Sequence, residues 1–227
     1  MKKLVLSLCI LVVAFTVKAQ DDQKITFGAQ ASILSSTASY QNTDNTAGSS
    51  NPSSSVSSVI GFRVGGFVNI PFNESISFSP GLNFLSKGAK ITLSSSTFTD
   101  ENTIKASYIE LPLNFYYTGL KGFKFGLGPV LTYGIGGSYT LNETSILGNT
   151  SASGNVKFDG DGNAQDNNAH LKALEFGANF IAGYKITSHL SASLLYNTSF
   201  TNSAPEVTGF TTNYKTSYLG LSVAYQF

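Results

Sequence analysis

The sequence predicts an all-β fold, specifically an eight-stranded antiparallel up-and-down transmembrane β-barrel. Three observations carry that prediction. Apolar residues alternate with small or polar ones at period two in eight separate segments, the pattern of strands with one oily face. Most segments reach the roughly 9 to 11 residues that a tilted membrane-crossing strand needs, against about 5 to 6 for an average strand. The connections between them alternate between short turns and long polar stretches, which is how an even-stranded barrel is threaded through a membrane.

Residues 1–19 read as a secretory signal peptide. Lys2 and Lys3 give a basic start, Leu4 to Val17 an apolar run, and Ala19 a small residue at the cleavage point; the run is short for a membrane helix. Residues 20–227 then form a single barrel domain. The only cysteine, Cys9, lies in the leader, so export is not being used to build disulfides. No later stretch offers 18 consecutive apolar residues, and without a membrane helix only a closed barrel satisfies every backbone amide in lipid.

The first strand runs over Ile25 to Ile33, with Phe27, Ala29 and Ala31 opposite Gly28, Gln30 and Ser32. The second, Ile60 to Ile70, sets Phe62, Val64 and Val68 against Gly61, Arg63, Gly65 and Asn69. The third, Ile76 to Lys87, has Phe78, Leu82 and Phe84 on its apolar side. In the fourth, Lys105 to Thr118, Ile109, Leu111, Leu113, Phe115 and Tyr117 oppose Tyr108, Glu110, Asn114 and Tyr116. The fifth, Gly122 to Gly137, carries Phe123, Phe125, Leu127, Leu131, Tyr133 and Ile135 opposite Lys124 and a run of glycines. The sixth, Leu171 to Ile186, has Leu174, Phe176, Phe180 and Tyr184 opposite Glu175, Gly177, Asn179 and Lys185. The seventh is Leu190 to Phe200. The eighth, Tyr218 to Phe227, puts Leu219, Leu221, Val223, Tyr225 and Phe227 on one face.

Short connections ("PFNE", "GLKG", "TSH") join strands two to three, four to five and six to seven. The four long ones, at about 35–58, 88–104, 138–170 and 201–213, read as polar loops. "SSTASYQNTDNTAGSSNPSSSVSS" lacks the apolar content to offset ordering entropy and is expected to be mobile at the outer surface.

Periodicity alone does not say whether the oily face points into a core or out to lipid. Glycine decides it. Gly28, Gly61, Gly65, Gly81, Gly126, Gly128, Gly134, Gly136, Gly177, Gly183 and Gly220 share the polar face, where they relieve crowding in a lumen just wide enough for side chains. Tyr and Phe near strand ends fit an aromatic girdle. Gly220, Val223, Tyr225 and Phe227 then read as the C-terminal signal by which an outer-membrane barrel engages its assembly machinery.

With Lys2, Lys3 and Lys18 removed, 11 of the 14 basic residues remain against 13 acidic ones. No basic patch points to nucleic acid, and 12% charged residues with 22 glycines and no tryptophan fit glycine-containing strands and polar loops.

"GLNFLSKGAK" (81–90), "YIELPLNFYY" (108–117), "GLGPVLTYGIGG" (126–137) and "LEFGANFIAGYKI" (174–186) resemble the repeating signatures of the PorT-type, porin-family outer-membrane β-barrels of Bacteroidota. The resemblance implies an eight-stranded barrel like OmpX or OmpA in the outer membrane of a Gram-negative bacterium, among lipid and lipopolysaccharide. It carries no shared catalytic motif. Some relatives are linked to a secretion complex.

Arg63, Glu110 and Glu175 face inward at similar depth and are expected to form one structural ion network, because burying any one charge alone is expensive. Lys124 and Lys185 also face inward, near the short-turn rim, and read as solvated. Asp159, Asp161 and Asn163 stand at positions one, three and five of a calcium loop, but Ala164 replaces the needed glycine and His170 the bidentate Glu, so a solvated turn is preferred to a metal site. His170 and His189 are the only histidines, and no spacing supports a catalytic triad. The sequence therefore reads as a non-enzymatic barrel, without a cofactor, whose long loops serve a structural, adhesion or envelope-complex role. A narrow small-solute channel and a lipid-modifying enzyme are the alternatives.

Overall fold

Eight of the chain's strands hydrogen-bond edge to edge into a closed ring. The computed structural model describes residues 24–44, 53–95, 97–145, 148–162, 166, 168–206 and 210–227; the leader at 1–19 lies outside them. The strands are β1 (Thr26–Asp44), β2 (Ser53–Pro71), β3 (Ile76–Ser94), β4 (Phe98–Tyr117), β5 (Phe123–Ser145), β6 (Gly148–Lys157), β7 (Ala169–His170), β8 (Leu174–Lys185), β9 (Leu190–Ser199) and β10 (Phe210–Gln226). Their order is β4-β3-β2-β1-β10-β9-β8-β5, and β4 pairs with β5 to close the circle. Every pairing in the ring is antiparallel. Closure leaves no free sheet edge, which lipid requires.

The three short turns lie at one end. Asn73 Oδ1 accepts hydrogen bonds from the amides of Ser75 and Ile76 at 2.9 and 2.8 Å, so a side chain closes the β2–β3 turn. Phe123 N–H donates to Leu120 O at 2.9 Å, and Gly122 takes φ 80° between them, a backbone angle that only glycine adopts cheaply at that turn position. Thr187 Oγ1 accepts from the His189 and Leu190 amides in the β8–β9 turn.

At the other end the long connections are not the loops that their polarity predicts. β1 continues to Asp44, paired with Phe210, and β2 starts at Ser53, paired with Ser94. β3 and β4 are joined by a tight hairpin, and β5 pairs with β6 from Ser138↔Asn155 to Ser145↔Gly148. β6 and β7 lie off the ring and pair in parallel at Val156↔Ala169 and Lys157↔His170. The expectation of a polar loop over 35–58 is thus corrected at Ser35 to Asp44 and Ser53 to Ser58, which are strand; residues 45–52 lie outside the described set. The physical reason is that a polar strand needs no oily face above the lipid. It needs a partner for its backbone, and the neighbouring strand supplies one.

The ring is inside out relative to a soluble barrel. Leu127, Leu131, Tyr133 and Ile135 on β5 are exposed by 42% to 55%, while Val130 and Thr132 between them are buried. Ile33 and Leu221, directly paired across β1 and β10, are 68% and 69% exposed. An apolar belt of this extent marks a membrane surface. Inside, Ser32, Arg63, Asn83, Lys87, Glu110, Asn114, Glu175 and Asn179 are buried.

Above the belt the tube is stoppered by an apolar cluster that includes Ala89, Ile104, Ala106, Tyr108, Val156, Leu171 and Tyr214. Phe158, just after β6, drops in edge-on to Tyr108 with ring centroids 5.3 Å apart. A Cβ at Gly134 would fall on the Phe158 ring, so this glycine makes the space that the stopper fills.

Candidate functional site in the lumen

Strand parity builds the lumen. With Ile109, Leu131 and Leu221 held outward by lipid, Glu110, Thr132 and Ser222 point in. Arg63 on β2 donates from Nε to Glu110 Oε1 on β4 at 2.8 Å. Asn83 Nδ2 donates to the same oxygen at 3.1 Å, and Tyr218 Oη to Glu110 Oε2 at 2.6 Å. Gln30 Nε2 in turn donates to Asn83 Oδ1 at 2.9 Å. Four further strands therefore converge, directly or through Asn83, on one carboxylate whose attached side chain is 1% exposed.

A second layer lies nearer the long-hairpin end. Lys87 on β3 donates from Nζ to Glu175 Oε2 on β8 at 2.5 Å and to Thr216 Oγ1 at 2.8 Å. Thr216 donates on to Glu175 Oε2 at 3.0 Å. The ammonium also sits 4.6 Å from the centre of the Tyr108 ring, a cation–π contact. The single expected network of Arg63, Glu110 and Glu175 is corrected here: Arg63 joins Glu110, and Glu175 belongs to Lys87. Glu175 lies on the far side of a narrow tube from β2, and β3 carries a cation on the same inward face.

Below these layers, towards the short-turn end, Asn197 Nδ2 donates to Asn179 Oδ1 at 2.9 Å and Asn179 Nδ2 to Asn114 Oδ1 at 3.4 Å. Lys124 comes next, its Nζ 3.8 Å from the centre of the Tyr116 ring. It is tucked against aromatic faces where the sequence reading had it solvated; Lys185 is exposed.

The calcium-loop candidates and His170 fall in the β6–β7 region outside the belt, whereas His189 lies in the β8–β9 turn at the other end. Asp159 Oδ1 sits 2.7 Å from His170 Nδ1, and Asp166 Oδ1 2.8 Å from Nε2. Asp166 Oδ2 also accepts from Lys157 Nζ at 2.6 Å. Asp161 donates its amide to Asp159 Oδ1 at 3.1 Å, and Asn163 lies outside the described residues. Among the described residues no group of three metal-ligating side chains converges. Both ring nitrogens of His170 are taken by carboxylates, which leaves neither to act as a base towards a serine.

The hydrogen bond to Asp166, followed by that to Asp159, raises the His170 pKa above its ordinary 6.5. The His170 contact, with Lys157, holds Asp166 well below the usual carboxylate range. The stabilisation from charged His170 is therefore full below about pH 6.5 and is lost as pH rises through the raised value. An NMR titration of the His170 ring should give a midpoint above about 6.5 that falls in Asp166→Asn; a midpoint unmoved by that substitution would break the account.

The apolar belt and filled lumen frame the comparison with known proteins. The family model described as "Outer membrane protein beta-barrel domain" matches residues 18–204. The chain belongs to that family. This outer-membrane barrel is similar to several solved structures. Ail, the attachment invasion locus protein of Yersinia pestis, is 12% identical over 90% of this chain and 100% of that one, with a TM-score of 0.38. Neisserial surface protein A is 14% identical over 90% and 100%, with a TM-score of 0.45. OprG from Pseudomonas aeruginosa is 8% identical over 89% and 95%, with a TM-score of 0.37. No curated protein matches.

Sequence reasoning on this outer-membrane barrel missed Lys87, Asn83, Thr216 and Tyr218 as members of the ion layers. The signal was present for Lys87, which shares parity with Gly81 and Asn83 opposite Phe84. Tyr218 falls on the small-residue face of β10, where a ring that large needs a polar partner for its hydroxyl. Of the C-terminal set, Val223, Tyr225 and Phe227 point outward and Gly220 is buried, its missing side chain leaving room for Leu34.

Proposed function

We propose that the protein is a non-conducting, non-enzymatic outer-membrane barrel of the PorT type from a Bacteroidota bacterium, exported by a leader cleaved after Ala19. Its long hairpins engage an adhesion or envelope-complex partner, and an assembly factor reads the strand ending in Gly220, Val223, Tyr225 and Phe227. Bacterial barrels put short turns in the periplasm, so the β5–β6 hairpin and the His170 clamp face outward, among lipopolysaccharide.

One observation carries the closed lumen: two buried ion pairs, Arg63–Glu110 spanning β3 from β2 to β4 and Lys87–Glu175 crossing from β3 to β8, fill the cross-section together with Tyr218, which reaches Glu110 from β10 on the opposite wall. The cavity beneath them, beside Gln30, Ser79 and Lys124, is about 20 Å³, room for about one water. An eight-stranded ring packed in this way has no file of water for a solute to follow. In planar bilayers the purified barrel should be electrically silent. Steady conductance steps that disappear when Asn179→Trp fills the lumen would establish a channel instead.

A further inference from the structure

At the short-turn mouth the barrel opens into a cavity of about 260 Å³ whose walls include Lys24, Lys124, Lys185, Glu74, Thr118 and Gln226. Lys24 precedes β1, Lys124 opens β5 and Lys185 closes β8, so three distant parts of the chain bring ammonium groups to one bowl. None of the three forms an ion pair with a described carboxylate. Lys124 and Lys185 are close enough to repel each other. Lys124 also lines the small lumen cavity above and the groove that holds His189. Its only described attractive contacts are with aromatic faces, Tyr116 at 3.8 Å and Phe67 at 5.8 Å.

This arrangement is costly as it stands. A cation drawn out of water loses hydration, and a ring face returns only part of it. The two other buried cations of this lumen, Arg63 and Lys87, are met by carboxylates, which makes the omission here informative. Among the described residues that line it, three ammoniums face the single carboxylate of Glu74, an excess of two positive charges, and the Gln226 amide and Thr118 hydroxyl add neutral donors.

We propose that this mouth is a binding site for a phosphate dianion, either free phosphate or a phosphomonoester. A dianion matches the excess charge, where a lone carboxylate would leave half of it uncompensated. Lysines bind phosphate as point charges, so a bowl of three needs no rigid fork.

The test uses the full-length protein in maltoside micelles in chloride buffer, titrated with sodium phosphate by calorimetry and ³¹P NMR. A Kd of about 1 mM or tighter is expected, weakened about tenfold in Lys185→Gln and again in Lys124→Gln. Lys185 is exposed, so its variant keeps the barrel intact if Lys124→Gln does not fold. A parallel titration uses a short-chain phosphatidic acid. Response to phosphate assigns the site to a free anion; response only to the lipid, lost in the same variants, assigns the same chemistry to the inner leaflet. Binding of neither, or binding indifferent to both lysines, overturns the proposal.

Discussion

Glu110→Gln lowers the stability of the folded barrel by about 3 to 5 kcal/mol, because it leaves the Arg63 guanidinium buried opposite a neutral amide. Arg63 and Glu110 are 2% and 1% exposed, so water does not screen the imbalance. Asn83 and Tyr218 also lose the charged acceptor they share. The double variant Arg63→Met with Glu110→Leu should recover most of the loss, since an apolar pair of similar bulk replaces both charges. A residual of about 1 to 2 kcal/mol should remain from the unmet Tyr218 and Asn83 donors. The chain has no tryptophan, so urea unfolding in lipid vesicles is followed by far-ultraviolet circular dichroism. A Glu110→Gln cost below about 1 kcal/mol would mean that water reaches the pair.

Leu127→Arg costs about 2 to 4 kcal/mol in vesicles, whereas Leu120→Arg costs less than about 1 kcal/mol. Both leucines are about equally exposed, 55% and 53%, and on a soluble protein both substitutions would pass unnoticed. Leu127 sits well inside the belt between Phe123 and Ile135 on β5; Leu120 sits in the turn before it. The contrast measures depth in hydrocarbon rather than burial in protein. Equal costs at the two positions would contradict the placement of the membrane on this face.

The barrel was legible in the sequence because lipid enforces a strict rule on every second residue. Phe123, Phe125, Leu127, Leu131, Tyr133 and Ile135 could be read as one face without any knowledge of their neighbours. Where lipid ends, the rule ends. Ser35 to Asp44 carries no oily alternation, and its strand character rests on β10 lying alongside it, which a single sequence does not reveal. The ion layers show the same division. Inward parity placed Arg63, Glu110 and Glu175 correctly inside, but which cation meets which carboxylate depends on register around the ring. The bulge between Ser107 and Tyr108, which leaves Ile135 unpaired on β5, shifts that register by one residue. The His170 clamp needed the parallel pairing of Lys157 with His170, a contact that no local pattern announces.

Beyond Ile135 the β5 ladder runs on to Ser145, which at about 3.3 Å per residue and a tilt near 40° lifts its end on the order of 25 Å above the last exposed oily residue of the strand. Along this shaft the outward side chains answer to neither bilayer nor core, while the backbone stays bound to its neighbour on both sides. Descendants of this chain can therefore exchange serine, threonine and asparagine there with little mechanical consequence, yet gain or lose residues only at the tips.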